Sequence, residues 1–255
     1  MVQPSTLLAL AALAGVSTAR DVPDNVRNLY NKIKHQGQCS NVLKGGFYAL
    51  EDGKNDYTYC GDRLKSKGII YQQGKNGALS DMDIDCDGVQ GSEADDGRCG
   101  NSADEQSVTS FADTVKGYGR GVHDLDPYIH PYVVFGNAGS RTGFVNFDPS
   151  AHGVKPLSII AVVCGDQLIY GIWGDQNGDD DPKPLIGEAS ISLATACFGK
   201  KITGNNGHDE TDVLYIAFSG SHAVPGAHGA KWNASNYHEF EASIQSLGDQ
   251  LVSKL

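Results

Sequence analysis

Two carboxylates in this sequence stand where an apolar run meets a glycine, a place suited to acid–base chemistry. Asp175 follows the run LIYGIW, residues 168–173, with Trp173 and Gly174 just before it. Glu188 follows Gly187 and precedes Ala-Ser-Ile-Ser-Leu-Ala, which reads as the start of a short helix. A carboxyl at the end of a rigid element is held in place, and apolar neighbours disfavour its charged form. Two such groups across a cleft can break a glycosidic bond, one as acid and the other as base or nucleophile. Each also has a plain structural reading, as a capping group.

A second set of carboxylates lies upstream in DMDIDCDG, residues 81–88. Asp83-x-Asp85-x-Asp87-Gly88 matches the first half of a calcium-binding EF-hand loop. The bidentate Glu that closes such a loop would fall on residue 94, which is Ala94. Period-2 alternation fits better. In a strand, Asp81, Asp83, Asp85 and Asp87 share one face, while Met82, Ile84 and Cys86 point to the core. Four like charges in a row repel, so as a set they suit the wall of a cleft for a polycation. The loop aspartates Asp179, Asp180 and Asp181, among prolines and Lys183, read as solvated surface.

Other chemistries find little support. The chain has no GxSxG elbow, P-loop, GxGxxG after a strand or HExxH. His123, His130 and His222 are scattered and read as surface or core residues. Twenty basic residues face 31 acidic ones, a net charge of −11. That field opposes nucleic-acid binding and would steer a cationic ligand. No metal ligand set with zinc spacing appears, and no cofactor is expected.

The elements that would position these groups are mostly strands. Apolar runs at Phe47–Leu50, Gly68–Gln72, Asp81–Cys86, Tyr132–Phe135, Gly143–Phe147, Leu157–Cys164, Leu168–Trp173 and Val213–Phe218 alternate with Gly- and Asn/Asp-rich joints. Val26, Leu29, Tyr30 and Ile33 mark a helix at about 25–35. At the other end Asn236 and Glu239 form a capping-box-like start, and Phe240, Ile244, Leu247, Leu251 and Leu255 line one helical face. One mainly β domain with short terminal helices is the expectation, spanning residues 20–255. Residues 1–19 read as a secretory signal peptide, with Leu7 to Val16 too short to span a bilayer that needs about 20 apolar residues. The protein is therefore expected outside the cell, with no membrane partner and as a monomer. Six cysteines then suggest up to three disulfides, Cys86–Cys99 being the best local pair. Asn233-Ala234-Ser235 is a glycosylation sequon.

Three stretches together, WGDQNG, GEASISLATACFG and DMDIDCDG, resemble the fungal endo-chitosanases of glycoside hydrolase family 75. The resemblance covers about residues 41–219. It implies a secreted enzyme that cuts internal β-1,4 bonds of chitosan with inversion, on a fold related to six-stranded double-psi β-barrels. It implies Asp175 and Glu188 as the catalytic pair, with Asn177 kept and Gln176 standing where the family usually has Thr. Asp81, Asp83, Asp85, Asp87, Trp173 and Asn177 are the expected substrate-binding set, the aspartates facing the ammonium groups of glucosamine. Within the pair, Asp175 beside Trp173 suits the acid, and Glu188 at a helix start suits the base. Two alternatives remain open on the residues: a calcium-stabilised carbohydrate-binding protein, and a different polysaccharide hydrolase of chitinase or lysozyme-like type.

Overall fold

A computed structural model describes residues 20–100, 106–179 and 182–255. The expected signal peptide, Asp180 and Asp181 lie outside the described residues. In chain order the elements are β1 (Arg20–Asp21), α1 (Asp24–His35), β2 (Val42–Phe47), β3 (Tyr57–Cys60), α2 (Leu64–Lys67), β4 (Ile69–Gln73) and β5 (Ser80–Asp85). There follow α3 (Ala112–Gly117), β6 (Tyr132–Asn137), β7 (Ile159–Cys164), β8 (Gln167–Asn177) and β9 (Glu188–Ser190). The chain closes with α4 (Ile191–Phe198), β10 (His208–Phe218) and α5 (Tyr237–Val252).

All ten strands belong to one hydrogen-bonded sheet, so the expectation of a mainly β chain with helices near both ends is met. Pairing runs from β8 to β6, β9, β5, β10 and β7, and β7 pairs with β8 again. The periodicity explains how the sheet is buried on both sides. In β7, Ile159, Ala161 and Val163 enter a core shared with Val26 and Ile33 of α1 and with Phe240 and Ile244 of α5. The alternate residues Ile160, Val162 and Cys164 enter a second core with Trp173, Tyr215 and Phe135. A strand with two buried faces must be apolar throughout, as IIAVVC is. At the start of α5, Asn236 Oδ1 accepts from the Glu239 amide at 3.1 Å, and Glu239 accepts in return from the Ser235 amide at 3.0 Å.

Two strand boundaries differ from expectation. No strand forms over residues 143–147; only Phe147 bridges to Asn137. Gly143 sits in a turn at φ +87°, and Phe147 is held by stacking on Tyr59 at 4.0 Å rather than by a ladder. The strand expected at 47–50 lies earlier, ending at Phe47, and Tyr48 makes a single bridge to Leu185. The short strands β3 and β9 were not anticipated, nor were α2 and α3.

Three disulfides join Cys39–Cys60, Cys86–Cys99 and Cys164–Cys197. Cys86–Cys99 ties the end of the aspartate strand to the loop after it. Replacing both of its cysteines with Ser is expected to lower stability by about 3 kcal/mol, the entropy of closing a loop of this length. A denaturant midpoint unchanged by the double replacement would contradict that. Asn233 is exposed, as a sequon must be.

Candidate active site

Register brings the two candidate carboxylates to opposite sides of one residue. Val134 of β6 pairs with Asp175 of β8 on one flank and with Glu188 of β9 on the other. Beyond Glu188, the next partner in the row is Asp83 of β5. Paired residues on neighbouring strands project to the same face, and strands lie about 4.8 Å apart. Asp175 and Glu188 are two strands apart, so their Cα atoms are about 10 Å apart by that spacing.

A bulge makes this alignment possible. Val133 pairs with Trp173, yet the next residue of β6, Val134, pairs with Asp175, so Gly174 is the extra residue. Simple alternation would put Asp175 on the face of Trp173, inside the second core. The inserted Gly174 turns it to the face of Val134 instead. Only glycine fits there, because a Cβ would lie 2.5 Å from Cβ of Tyr132.

Asp175 is 5% exposed. Its Oδ1 accepts from the Ser110 amide (3.0 Å), Ser110 Oγ (2.5 Å) and the Gln176 amide (2.7 Å), while Oδ2 has no partner among the described residues. Burial pushes its carboxyl up to about 6, against the pull of those donors. Trp173 does not line the cleft. It is buried, donates from Nε1 to the Asp175 carbonyl at 2.9 Å, and meets the edge of Phe111, the neighbour of Ser110. Its place in the structure is that of a positioning residue for both the carboxylate and its donor, rather than a sugar platform.

Glu188 is half-buried and sits in β9, two residues before the cap of α4. The helix begins at Ile191, and Ser190 Oγ caps it by accepting from the Leu193 amide. The helix-dipole argument for an ionised Glu188 therefore loses its basis, since that field acts within the first turn.

Both carboxylates line a cleft of about 650 Å³. Asp83, Asp85, Asp87 and Asn177 line it too, joined by Glu51, Asp52 and Asp209, which the sequence reading missed. Eight carboxylates thus face one cation, Lys183, among the described lining residues, and no aromatic ring is among them. Asn177 Nδ2 donates to the Leu185 carbonyl at 3.1 Å, fixing the rim.

Asp81, Asp83 and Asp85 lie on β5, as alternation required, but the strand ends there and Asp87 falls in the loop beyond; Asp81 and Asp85 are buried. Asp81 is fully buried and outside the cleft lining, so it is not placed to touch a ligand. It packs behind Gly187, where a Cβ would come within 2.3 Å of its Oδ1. Neither of its oxygens has a hydrogen-bond partner among the described residues, and burial, then Asp83, pushes its carboxyl up to about 9. Burial, then Glu51 and Asp209, pushes Asp83 up to about 7. Burial, then Asp175, Glu188 and Asp87, holds Asp85 well above the usual carboxylate range. The stretch 83–85 is strand rather than a calcium loop.

A mainly β domain with two carboxylates set across the floor of an acidic cleft has the equipment of a glycoside hydrolase. The chain belongs to the family described as fungal chitosanase of glycosyl hydrolase group 75, which matches residues 82–254. It is 46% identical over 254 residues to an endo-chitosanase of Aspergillus fumigatus, covering 98% of each chain. It is 44% identical over 254 residues to endo-chitosanase B of Aspergillus oryzae (strain ATCC 42149 / RIB 40), again 98% of each chain. Endo-chitosanase C of Aspergillus oryzae is 32% identical over 178 residues, 69% of this chain and 39% of that one.

Proposed function

We propose that this protein hydrolyses internal β-1,4 bonds of chitosan with inversion, Asp175 acting as general acid and Glu188 as general base. The observation that carries the reading is the row Asp175–Val134–Glu188 on the floor of a cleft lined, among the described residues, by eight carboxylates. An inverting pair stands roughly 6.5–9.5 Å apart to admit a water molecule, which two carboxylates separated by one strand allow. Asp175, drier and raised to about 6, is the better proton donor in mildly acidic medium. There the glucosamine units carry ammonium groups, which the ionised carboxylates of the cleft would hold by charge. The names of the relatives support the same substrate.

The fold reading that goes with this function is a closed six-stranded barrel of the double-psi type. The return of the pairing path from β7 to β8 supports it. Residues 20–255 would form one secreted, monomeric catalytic domain after loss of residues 1–19.

Partly acetylated chitosan should release reducing ends in the presence of a chelator, with the first-formed product in the inverted configuration by NMR. A retained configuration, or release that requires added calcium, would overturn the mechanism. Asp83→Asn is expected to raise KM several-fold more than it lowers kcat, and wild-type KM should rise with salt as the ammonium contacts are screened. A pure kcat loss would instead put Asp83 in the proton chemistry.

A further inference from the structure

The wall behind Asp175 holds a second buried carboxyl whose arrangement mirrors that of the proposed acid. One oxygen from each of Asp85, Asp87 and Asp175 lies within 4.8 Å of the others. Asp85 is 6% exposed. Its Oδ1 accepts from the Asp87 amide at 2.6 Å and lies 3.0 Å from Tyr132 Oη, whose one proton is shared with the Asp87 carbonyl at 2.9 Å. Asp175 Oδ1 likewise takes its three donors and its buried Oδ2 has none among the described residues, so in both residues the donors converge on Oδ1. Two buried carboxylates this close resist both ionising, because burial disfavours each charge and the two charges repel.

We infer that Asp85 is the positioning residue for the general acid, a neutral carboxyl that donates a hydrogen bond to Oδ2 of Asp175 as that group gives up its proton. In the bond-breaking step the Asp175 O–H bond breaks and its electron pair stays on Oδ2. The proton passes to the glycosidic oxygen as the bond to C1 breaks. The Asp85 O–H bond persists and steadies the new anion, and solvent returns a proton to Asp175 before the next cycle. A separation of up to 4.8 Å is closed by a small side-chain rotation or one water, and catalytic hydrogen bonds are often long before substrate binds. The groups facing the pair are Asp87 from the following loop, Tyr132 of β6, Glu188 of β9 and Asp124. All of these are acidic or neutral, and none of them would draw the proton off Asp85. The sequence reading gave Asp85 the same task as Asp83, gripping substrate. Its burial and its two backbone-and-tyrosine anchors set it apart.

The inference rests on reading Asp175 as the acid, and its first test needs no substrate. In protein carrying 13C-labelled aspartate, the Asp85 carboxyl signal, assigned by its loss in Asp85→Asn, should titrate well above the ordinary carboxylate range and above Asp175. A simple step near pH 4 for Asp85 would overturn the inference whatever the enzyme hydrolyses. The second test is kinetic, on variants whose melting shows them folded. Asp85→Ala should lower kcat on the order of 100-fold with KM within about twofold, the scale of one lost hydrogen-bond donor to a developing anion. Asp85→Asn, which keeps a neutral donor in place, should recover about tenfold of that loss. An Asp85→Asn enzyme with raised KM and unreduced kcat would make Asp85 a substrate grip and overturn the inference.

Discussion

Asp175→Asn is expected to lose chitosan hydrolysis by about three orders of magnitude while melting within a few degrees of wild type. The size follows from removing the proton that the leaving oxygen needs, a step worth 10²–10⁴-fold in typical enzymes. The folded state should tolerate the change because an amide oxygen can still accept from Ser110 and Gln176. The amide nitrogen then fills the place of Oδ2, which has no partner to lose among the described residues. Glu188→Gln should fall as far for the complementary reason, loss of the base that takes a proton from water. The double variant should be little worse than either single one, since the two groups act in one step. In wild type, kcat should decline as pH rises through about 6, where the buried Asp175 gives up its proton. Reducing-end assays on purified, folded variants check all of this. Retention of a tenth of wild-type kcat in either single variant would remove that residue from the bond-breaking pair.

Asp81 predicts an unusual dependence of stability on pH. In the unfolded chain its carboxyl ionises near the ordinary value of about 4, whereas in the folded protein burial and Asp83 push it up to about 9. Between those limits the folded state binds the extra proton, so stability falls as pH rises. The contribution is complete below about pH 4 and is lost progressively as pH climbs toward 9. Asp83 and Asp85, also raised, add to the same slope. Wild-type Tm should therefore be highest in acid and lower by several degrees at pH 8. Asp81→Asn, neutral at every pH, should flatten the curve and leave kcat at pH 5 much as it was. A wild-type Tm that rises from pH 5 to pH 8 would mean that Asp81 is ionised in the folded protein.

The sequence made the strands and the candidate pair legible for different reasons. Runs such as IIAVVC could be read because a strand buried on both faces has no polar position to hide it. Asp175 and Glu188 stood out because each adjoins an apolar element and a glycine. Their meeting at Val134 was not readable, since it depends on a bulge at Gly174 and on β9, a strand of three residues that resembles the start of a helix. Ser110, the main donor to Asp175, lies 65 positions upstream in a stretch with no chemical signature. Alternation correctly put Asp81, Asp83 and Asp85 on one strand, with Asp87 just beyond its end, but period alone does not say how much of a face is wet. Asp81 is covered by the chain at Gly187, a contact that only the tertiary structure creates. Trp173 was expected among the substrate-binding residues, while its indole nitrogen donates to the Asp175 carbonyl and its ring is buried.

The row Asp175–Val134–Glu188–Asp83 also bears on how the chain reaches its working form. Its members come from four strands, and Asp83 and Glu188 pair although more than a hundred positions separate them. Pairings of that span form late, because the entropy of closing long loops is spent before the contact repays it. Helical signal from α1 and α5, each built from local contacts, should return early in refolding. Hydrolytic activity should return only when β9 has slotted between β5 and β6. Recovered activity is then a clock for the final step of assembly, readable without any spectroscopic label.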